Sequence, residues 1–406
     1  MLVLNEYTIM GSSFKERYDK LWAYYDDVIK QTNKVLDDRS GIYKRYQNPV
    51  LTESHVPPDW RYDLNPETNP YLMERMGINS VFNPGAIKLG DKYLLVVRVE
   101  SKNRKSFFAV AESKIPTEGF RFWDEPILMP ETEDPDTNVY DIRLTKHEDG
   151  WIYGVFCTER KDADMSESDT SSAVAQAGIA RTHDLKKWER LPDLATPSPQ
   201  QRNVVLHPEF VDGKYAFYTR PQDEFILTGK GGGIGWALVD DIEKPVTHEE
   251  LIIDPKKYHT VKEAKNGQGP PPLKTREGWL HLAHGVRNTA AGFRYVLYLF
   301  VTDVDKPWMV THMPGDYLIA PTGIERVGDV SNVLFCCGWI RNADDEVYIY
   351  YASSDSRIHV ASTSVEQLLD FAKNSPHDAF NTSDVVKEHL ELIRKNNART
   401  SGREGN

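Results

Sequence analysis

The feature that most constrains this chain is a fivefold recurrence of one pattern: an apolar segment, a polar turn and a Val/Ile/Tyr/Phe-rich run. The runs are KYLLVVRVES, GWIYGVFCTER, GKYAFYTRP, GWLHLAHGV and EVYIYYASSD. The segments ahead of them are NPGAIKLGDKY, DIRLTKHEDGW, HPEFVDGKY, PPLKTREGW and VLFCCGWIRNADDEV. β-Branched and aromatic residues bounded by Gly, Asp and Asn turns read as strands. The unit returns every roughly 60 residues, and small antiparallel sheets that recur in this way stack radially into a propeller. Five units predict an all-β, five-bladed β-propeller over residues 75–365. A closed ring also accommodates 406 residues, more than one ordinary core holds, because it grows by adding blades. A pair of β-sandwiches is the rival architecture, which the fivefold recurrence disfavours.

Helical text flanks the strands. Phe14, Tyr18, Leu21, Trp22, Tyr25, Val28 and Ile29 recur at three- and four-residue steps, which predicts an amphipathic helix from Ser12 to about Leu36. An irregular stretch with Pro49, Pro57, Pro58, Pro66 and Pro70 completes an N-terminal extension over 1–74. Val365 to Ala372 and Ser383 to Arg394 also read as helices. They fall in a C-terminal helical extension, 366–406, that ends in a frayed tail, TSGREGN.

Composition narrows the function. A formal charge of −12 is the wrong sign for a nucleic-acid binder, so any anion site must be a local basic cluster. Three cysteines, Cys157 and the adjacent Cys336 and Cys337, are too few for a disulfide framework. No Cys-x-x-Cys or His-Glu-x-x-His spacing points to zinc, so no metal is expected. The start MLVLNEYTIM has no basic segment and is interrupted by Asn5 and Glu6, unlike a signal peptide, and no run approaches a membrane span. The expected location is the cytoplasm, with neither membrane nor nucleic acid as partner.

In a propeller the innermost strands converge on one axis, so residues at equivalent blade positions meet in space. The five units begin with Asn83, Asp141, Arg202 with Asn203, Lys274, and Asp329 with Asn332. A cleft mixing carboxylates with Arg, Lys and His suits a sugar and an anion together. Two other signals carry less. GKGGGIG at 229–235 lacks the strand, helix and spacing of a phosphate loop, and DADMSESDTSS at 162–172 reads as a solvent loop.

The stretches FNPGAIKLGDKYLLVVRVES, YDIRLTKHEDGWIYGVFCTER, QRNVVLHPE, GPPPLKTREGWLHLAHGV, GDVSNVLFCCGWI and YYASSDSRIHVA resemble glycoside hydrolase family 130, the mannoside phosphorylases. The resemblance covers most of the chain and points within that family to the branch acting on mannosyl-glucose. It implies reversible, inverting phosphorolysis of a β-1,4-mannosyl-glucose to α-mannose 1-phosphate and glucose. Inorganic phosphate is then the co-substrate, and no cofactor is expected. A homo-oligomer assembled through the helical extensions is also implied, although Trp22 and Tyr25 of the first helix could instead pack on the propeller.

By the same resemblance Asp141 corresponds to the general acid, which in the family passes its proton through the mannose 3-hydroxyl. The ordinary role of an Asp beside a strand is to cap a turn. An inverting hydrolase needs a second carboxylate to activate water, whereas phosphate is already a nucleophile that must only be held and partly neutralised. Arg202, Asn203, Lys274 and His284 match family positions for phosphate, with Arg104 as a further contributor; solvated strand-end charge is the plain reading of each. Asn83, Arg98 and Asp355 match residues that hold the mannosyl unit, and Asp329 is a weaker candidate beside them. Arg98 has a rival reading as a structural salt bridge to Glu100 or Asp141, because a charge on a mostly buried strand is costly unpaired. Ser331 stands where many relatives have Pro. A β-1,4-mannooligosaccharide phosphorylase, a hydrolase on the same propeller and a noncatalytic carbohydrate-binding propeller are the alternative functions.

Overall fold

The computed structural model describes residues 13–401 except 171, 226, 227 and 380. The expectations for residues 1–10 and for the end of the tail lie outside the described residues. Five antiparallel sheets follow one another around a ring. Blade 1 comprises Ile78–Leu89, Lys92–Ser101, Ser106–Ser113 and Arg121–Phe122. Blade 2 comprises Asn138–Lys146, Ile152–Lys161, Ala173–Thr182 and Glu189–Leu194, and blade 3 Val205–Leu206, Tyr215–Thr219, Ile234–Val239 and Leu251–Asp254. In blade 4 the inner strand is broken into Lys265–Gln268 and Leu273–Thr275, followed by Gly278–Thr289, Gly292–Thr302 and Val310–His312. The break falls at Gly269-Pro270-Pro271-Pro272, where three successive prolines offer no ladder donors. Blade 5 comprises Leu334–Arg341, Glu346–Ser353 and Arg357–Ser364. The recurring runs in the sequence are the second strands of the five blades.

Apolar side chains fill the seams between blades rather than one central core. Val97 and Ala109 of blade 1 pack with Tyr350 and Val360 of blade 5, and Val96 and Phe108 with Ile142 and Phe156 of blade 2. Val155 meets Phe217 between blades 2 and 3, Tyr218 meets Tyr298 between 3 and 4, and Leu299 meets Ile349 between 4 and 5. The seams narrow at the axis. A Cβ on Gly85 would lie 2.7 Å from the Ile142 carbonyl oxygen, so the inner strands of blades 1 and 2 approach backbone to backbone there.

The ring is tied by the start of the chain. Lys44–Tyr46 pairs with the outermost long strand of blade 5, Lys44 opposite Ser362 and Arg45 opposite Ala361, and Val35–Asp37 adds a further edge. These strands lie in the stretch expected to be helical or irregular. The helix ends at Ile29, and strands of three residues are too short to show an alternation. Arg45 is buried in an ion pair with Glu325, whose other oxygen accepts from the Tyr351 hydroxyl at 2.7 Å. Arg45→Ala would leave that carboxylate buried and uncompensated. The expected cost is about 3–5 kcal/mol, read as a lowered urea midpoint.

The first helix, Phe14–Ile29, starts at a capping box between Ser13 and Glu16 and buries Ile29. Val365–Asn374 buries Val365, Leu368, Leu369 and Ala372 in the seam between blades 4 and 5. Thr382–Ser401 follows, with Val385, Val386, Leu390, Leu392 and Ile393 exposed. Among the described residues no helix is long and apolar enough to cross a membrane.

Candidate active site

Within the inner strands of blades 1 and 2, and just ahead of those of blades 3 and 5, the backbone departs from regular β geometry. Asn83, Asp141, Asn203 and Asn332 all have positive φ, at 46°, 60°, 58° and 61°. Asn and Asp tolerate this left-handed region better than most residues. The strand register slips between Phe82 and Gly85 and between Tyr140 and Arg143, so Asn83 and Asp141 each sit in a bulge. Bulges re-aim side chains, and here they bring two neighbouring blades into contact: Asn83 Nδ2 donates to Asp141 Oδ1 at 2.8 Å.

Arg98, from the second strand of blade 1, completes this acidic side. Its Nη1 donates to Asp141 Oδ1 at 3.2 Å, Nη2 to Glu100 Oε2 at 2.8 Å, and Nε to Ser106 Oγ at 3.0 Å. The guanidinium lies between the rings of Phe82 and Tyr140, at 4.3 and 4.8 Å. Both salt bridges of the rival reading are therefore formed, and Arg98 acts on Asp141 directly. Asp355, also at positive φ, is within electrostatic reach of this group. Burial is the main cause that pushes its carboxyl up to about 7; Arg98 opposes the rise, while Asp141, Glu100 and Asp329 add to it.

A raised carboxyl has a stability consequence. Between the ordinary carboxylate range and about pH 7 the unfolded chain has lost the Asp355 proton and the folded protein keeps it, so native stability falls as pH rises through that window. Asp355→Asn cannot titrate. Its melting temperature is expected to exceed the wild type's by a margin that grows up to about pH 7 and then levels off, on the order of a few degrees. Thermal scans of both proteins from pH 4.5 to 8.5 read this directly.

Facing the carboxylates is a group of cations. Arg202, Arg220 and Lys265 have no ion-pair partner among the described residues, and the fully buried Arg143 has none either. Arg143 instead spans the blades, donating to the Asp141 carbonyl at 2.7 Å, Asn203 Oδ1 at 3.0 Å and the Gly269 carbonyl at 3.3 Å. Lys265 is pulled down to about 7 by burial and then by Arg220 and Arg202; Arg220 falls to about 10 by burial and then by Arg202. His284 is held neutral, first by burial and then by Arg220, Arg143, Lys265 and Arg202. These groups disfavour one another's charge, and among the described residues none of them is in an ion pair. Arg220 Nε and both ring nitrogens of His284 are buried without a hydrogen-bond partner, as are Asn83 Oδ1 and Tyr140 Oη. Tyr295 is within electrostatic reach of Arg220 and Arg202 and also of Asp355 and Asp141, so the cationic and acidic groups adjoin. Such a site can take an anion beside a polyhydroxylated ligand.

The structure brings together Asn83, Arg98, Asp141, Arg202, Asn203, His284 and Asp355. It does not bring Lys274 to this group. Lys274 sits opposite Trp279, beside the Thr275–Gly278 turn, at the other end of the blade from Lys265, which sits opposite Val286. Its Nζ pairs with Glu209 at 2.6 Å, half-exposed. Arg104 is exposed on the turn after Ser101, outside the buried group, and Asp329 is exposed on the rim, its N–H donating to Ser356 Oγ.

Arg220 and Lys265 are the residues that sequence reasoning missed. Arg220 was legible in register: Arg98, Cys157, Arg220 and His284 each lie six residues after Lys92, Trp151, Lys214 and Gly278, which open, or directly precede, the second strands of blades 1 to 4. Lys265 lies before the proline break, outside the segment recognised as blade 4.

Comparison with known proteins agrees with this architecture. Residues 42–374 match the family profile of glycoside hydrolase family 130, described as beta-1,4-mannooligosaccharide phosphorylase. A 4-O-beta-D-mannosyl-D-glucose phosphorylase from Bacteroides fragilis is 58% identical over 385 residues, covering 95% of this chain and 98% of its own. A beta-1,4-mannooligosaccharide phosphorylase from Ruminococcus albus is 30% identical, over 78% of this chain and 91% of its own. The solved beta-1,2-mannobiose phosphorylase of Listeria innocua superposes with a TM-score of 0.64 at 21% identity, covering 82% of this chain and 99% of that one, a likeness of fold. The fold and these matches define a propeller enzyme of the carbohydrate phosphorylase class. The chain belongs to glycoside hydrolase family 130.

Proposed function

We propose that the protein catalyses reversible, inverting phosphorolysis of β-1,4-mannosyl-glucose, releasing α-D-mannose 1-phosphate and D-glucose. The observation that carries this is the buried group of cations, none of them in an ion pair among the described residues, beside Asp141. A hydrolase needs a base for water and no such accumulation of positive charge; a noncatalytic sugar-binding propeller needs neither the charge nor the acid. In this reading Asp141 supplies the proton for the leaving glucosyl oxygen, relayed through a mannose hydroxyl as the family resemblance implies. Asn83, Arg98 and Asp355 hold the mannosyl unit. Arg202, Asn203, Arg220, Lys265 and His284 hold phosphate, with neutral His284 donating one N–H. Phosphate is the co-substrate, and no cofactor enters.

The glucose acceptor is supported by the 58% identity to a phosphorylase named for mannosyl-glucose, against 30% to one named for mannooligosaccharides. Phosphate-dependent release of glucose from β-1,4-mannosyl-glucose is expected to exceed release of mannose from β-1,4-mannobiose. The reverse order would transfer the protein to the mannooligosaccharide reading. A cytoplasmic location is supported by three buried cysteines, all free thiols.

We also infer a homo-oligomer through the helical extensions. A helix like Thr382–Ser401, with an exposed apolar stripe, gains most of its stability from packing against a partner. Removing residues 382–406 is expected to lower the mass found by light scattering to that of a smaller assembly.

A further inference from the structure

We propose that Gln222 is a positioning residue that holds Arg202 and Arg220 in a fixed relation at the anion site. This rests on reading the basic group as the phosphate site. A two-residue ladder pairs Gln200–Gln201 with Pro221–Gln222, setting Gln200 opposite Gln222, and buries the Gln222 side chain. Gln222 Oε1 accepts from Arg220 Nη2 at 2.7 Å. Its Nε2 donates to the carbonyls of Glu224 and Phe225 at 2.7 and 3.0 Å. The Phe225 carbonyl also accepts from Arg202 Nη1 at 3.2 Å, and the Arg202 guanidinium lies 4.8 Å over the Phe225 ring. One amide therefore connects both guanidinium groups. Its orientation is unambiguous, because arginine only donates and backbone carbonyls only accept. The Arg220 main chain is pinned as well, its N–H donating to Gln201 Oε1 at 3.0 Å.

The choice of glutamine has a physical reason. Arg202 and Arg220 repel each other and neither forms an ion pair among the described residues, so something other than a salt bridge must keep both aimed at one point. A glutamate at 222 would bind Arg220 more strongly, but it would cancel charge that the phosphate requires and would face two carbonyl oxygens with no proton to offer them. The neutral amide gives an acceptor to one arginine and, through the Phe225 carbonyl, orders the other. It leaves the charge of the pair intact.

The test compares Gln222→Met and Gln222→Glu with Arg220→Met in the full chain. Phosphate is varied at saturating disaccharide, and disaccharide at saturating phosphate. Gln222→Met is expected to raise the phosphate KM roughly 10- to 100-fold, the loss of about one to two charge-assisted contacts, with kcat and the disaccharide KM changed about twofold or less. Gln222→Glu should raise it at least as much. The rise in melting temperature produced by inorganic phosphate should shrink in both, a readout that a merely structural role would not move. An unchanged phosphate KM in both glutamine variants, with a raised one in Arg220→Met, would overturn this inference alone, as would a proportional change of both KM values and kcat. An unchanged phosphate KM in Arg220→Met would remove the anion-site reading beneath it.

Discussion

Asp141→Asn is expected to slow phosphorolysis by about 10²–10⁴-fold, the usual worth of a general acid, with little change in melting temperature. The substitution is close to isosteric. An asparagine Oδ1 can still accept from Asn83 Nδ2 and Arg98 Nη1, now at 2.8 and 3.2 Å, and asparagine adopts the φ of 60° found at this position. What disappears is the proton for the leaving oxygen. β-Mannosyl fluoride, whose leaving group needs little proton assistance, should therefore lose far less rate with phosphate than the disaccharide does. Equal losses on both substrates would assign Asp141 to binding, and near-normal turnover of the disaccharide would remove it from the acid role.

The second large effect is expected at the cations. Arg220→Met and Lys265→Met should each lower kcat/KM for phosphate by roughly 10²-fold or more, because each removes a desolvated charge from one anion. The double variant should lose less than the product of the two, since both groups act on one phosphate. Lys265 adds a pH signature. Unliganded, it is pulled down to about 7, so below that pH it meets phosphate already charged, whereas above it binding must take up a proton. The wild-type phosphate KM should accordingly rise as pH climbs above about 7. In Lys265→Met that rise should be absent, leaving only the titration of phosphate itself. Lys274→Met, which breaks an exposed pair with Glu209, should leave phosphate use near normal.

Much of the fold was legible because the second strand of each blade is long enough to carry β-branched and aromatic text, as KYLLVVRVES and EVYIYYASSD do. The outer strands were not. Arg121–Phe122 and Lys44–Tyr46 span two and three residues, and what makes them strands is the neighbour they pair with. At the site, Asn83, Asp141 and Asn203 stood out as polar residues at the starts of apolar inner strands. The structure adds their shared left-handed backbone. Lys265 escaped because the triple proline splits its strand, and only the PPLKTREGW half carries the recurring pattern, with a lysine that lies at the wrong end of the blade. Arg98 illustrates a different limit, since sequence could pose sugar binding against ion pairing but could not reveal that its guanidinium reaches Glu100 and Asp141 at once.

The most direct test of the central claim is the anomeric configuration of the first sugar phosphate formed from β-1,4-mannosyl-glucose and inorganic phosphate, followed by proton magnetic resonance before the reaction reverses. With one acid, Asp141, and phosphate attacking from the opposite face, a single displacement inverts the β-mannoside. The initial product should be α-mannose 1-phosphate, formed only when phosphate is present. A β-phosphate, which requires two displacements through a glycosyl-enzyme, or free mannose at the same rate without phosphate, would contradict the account.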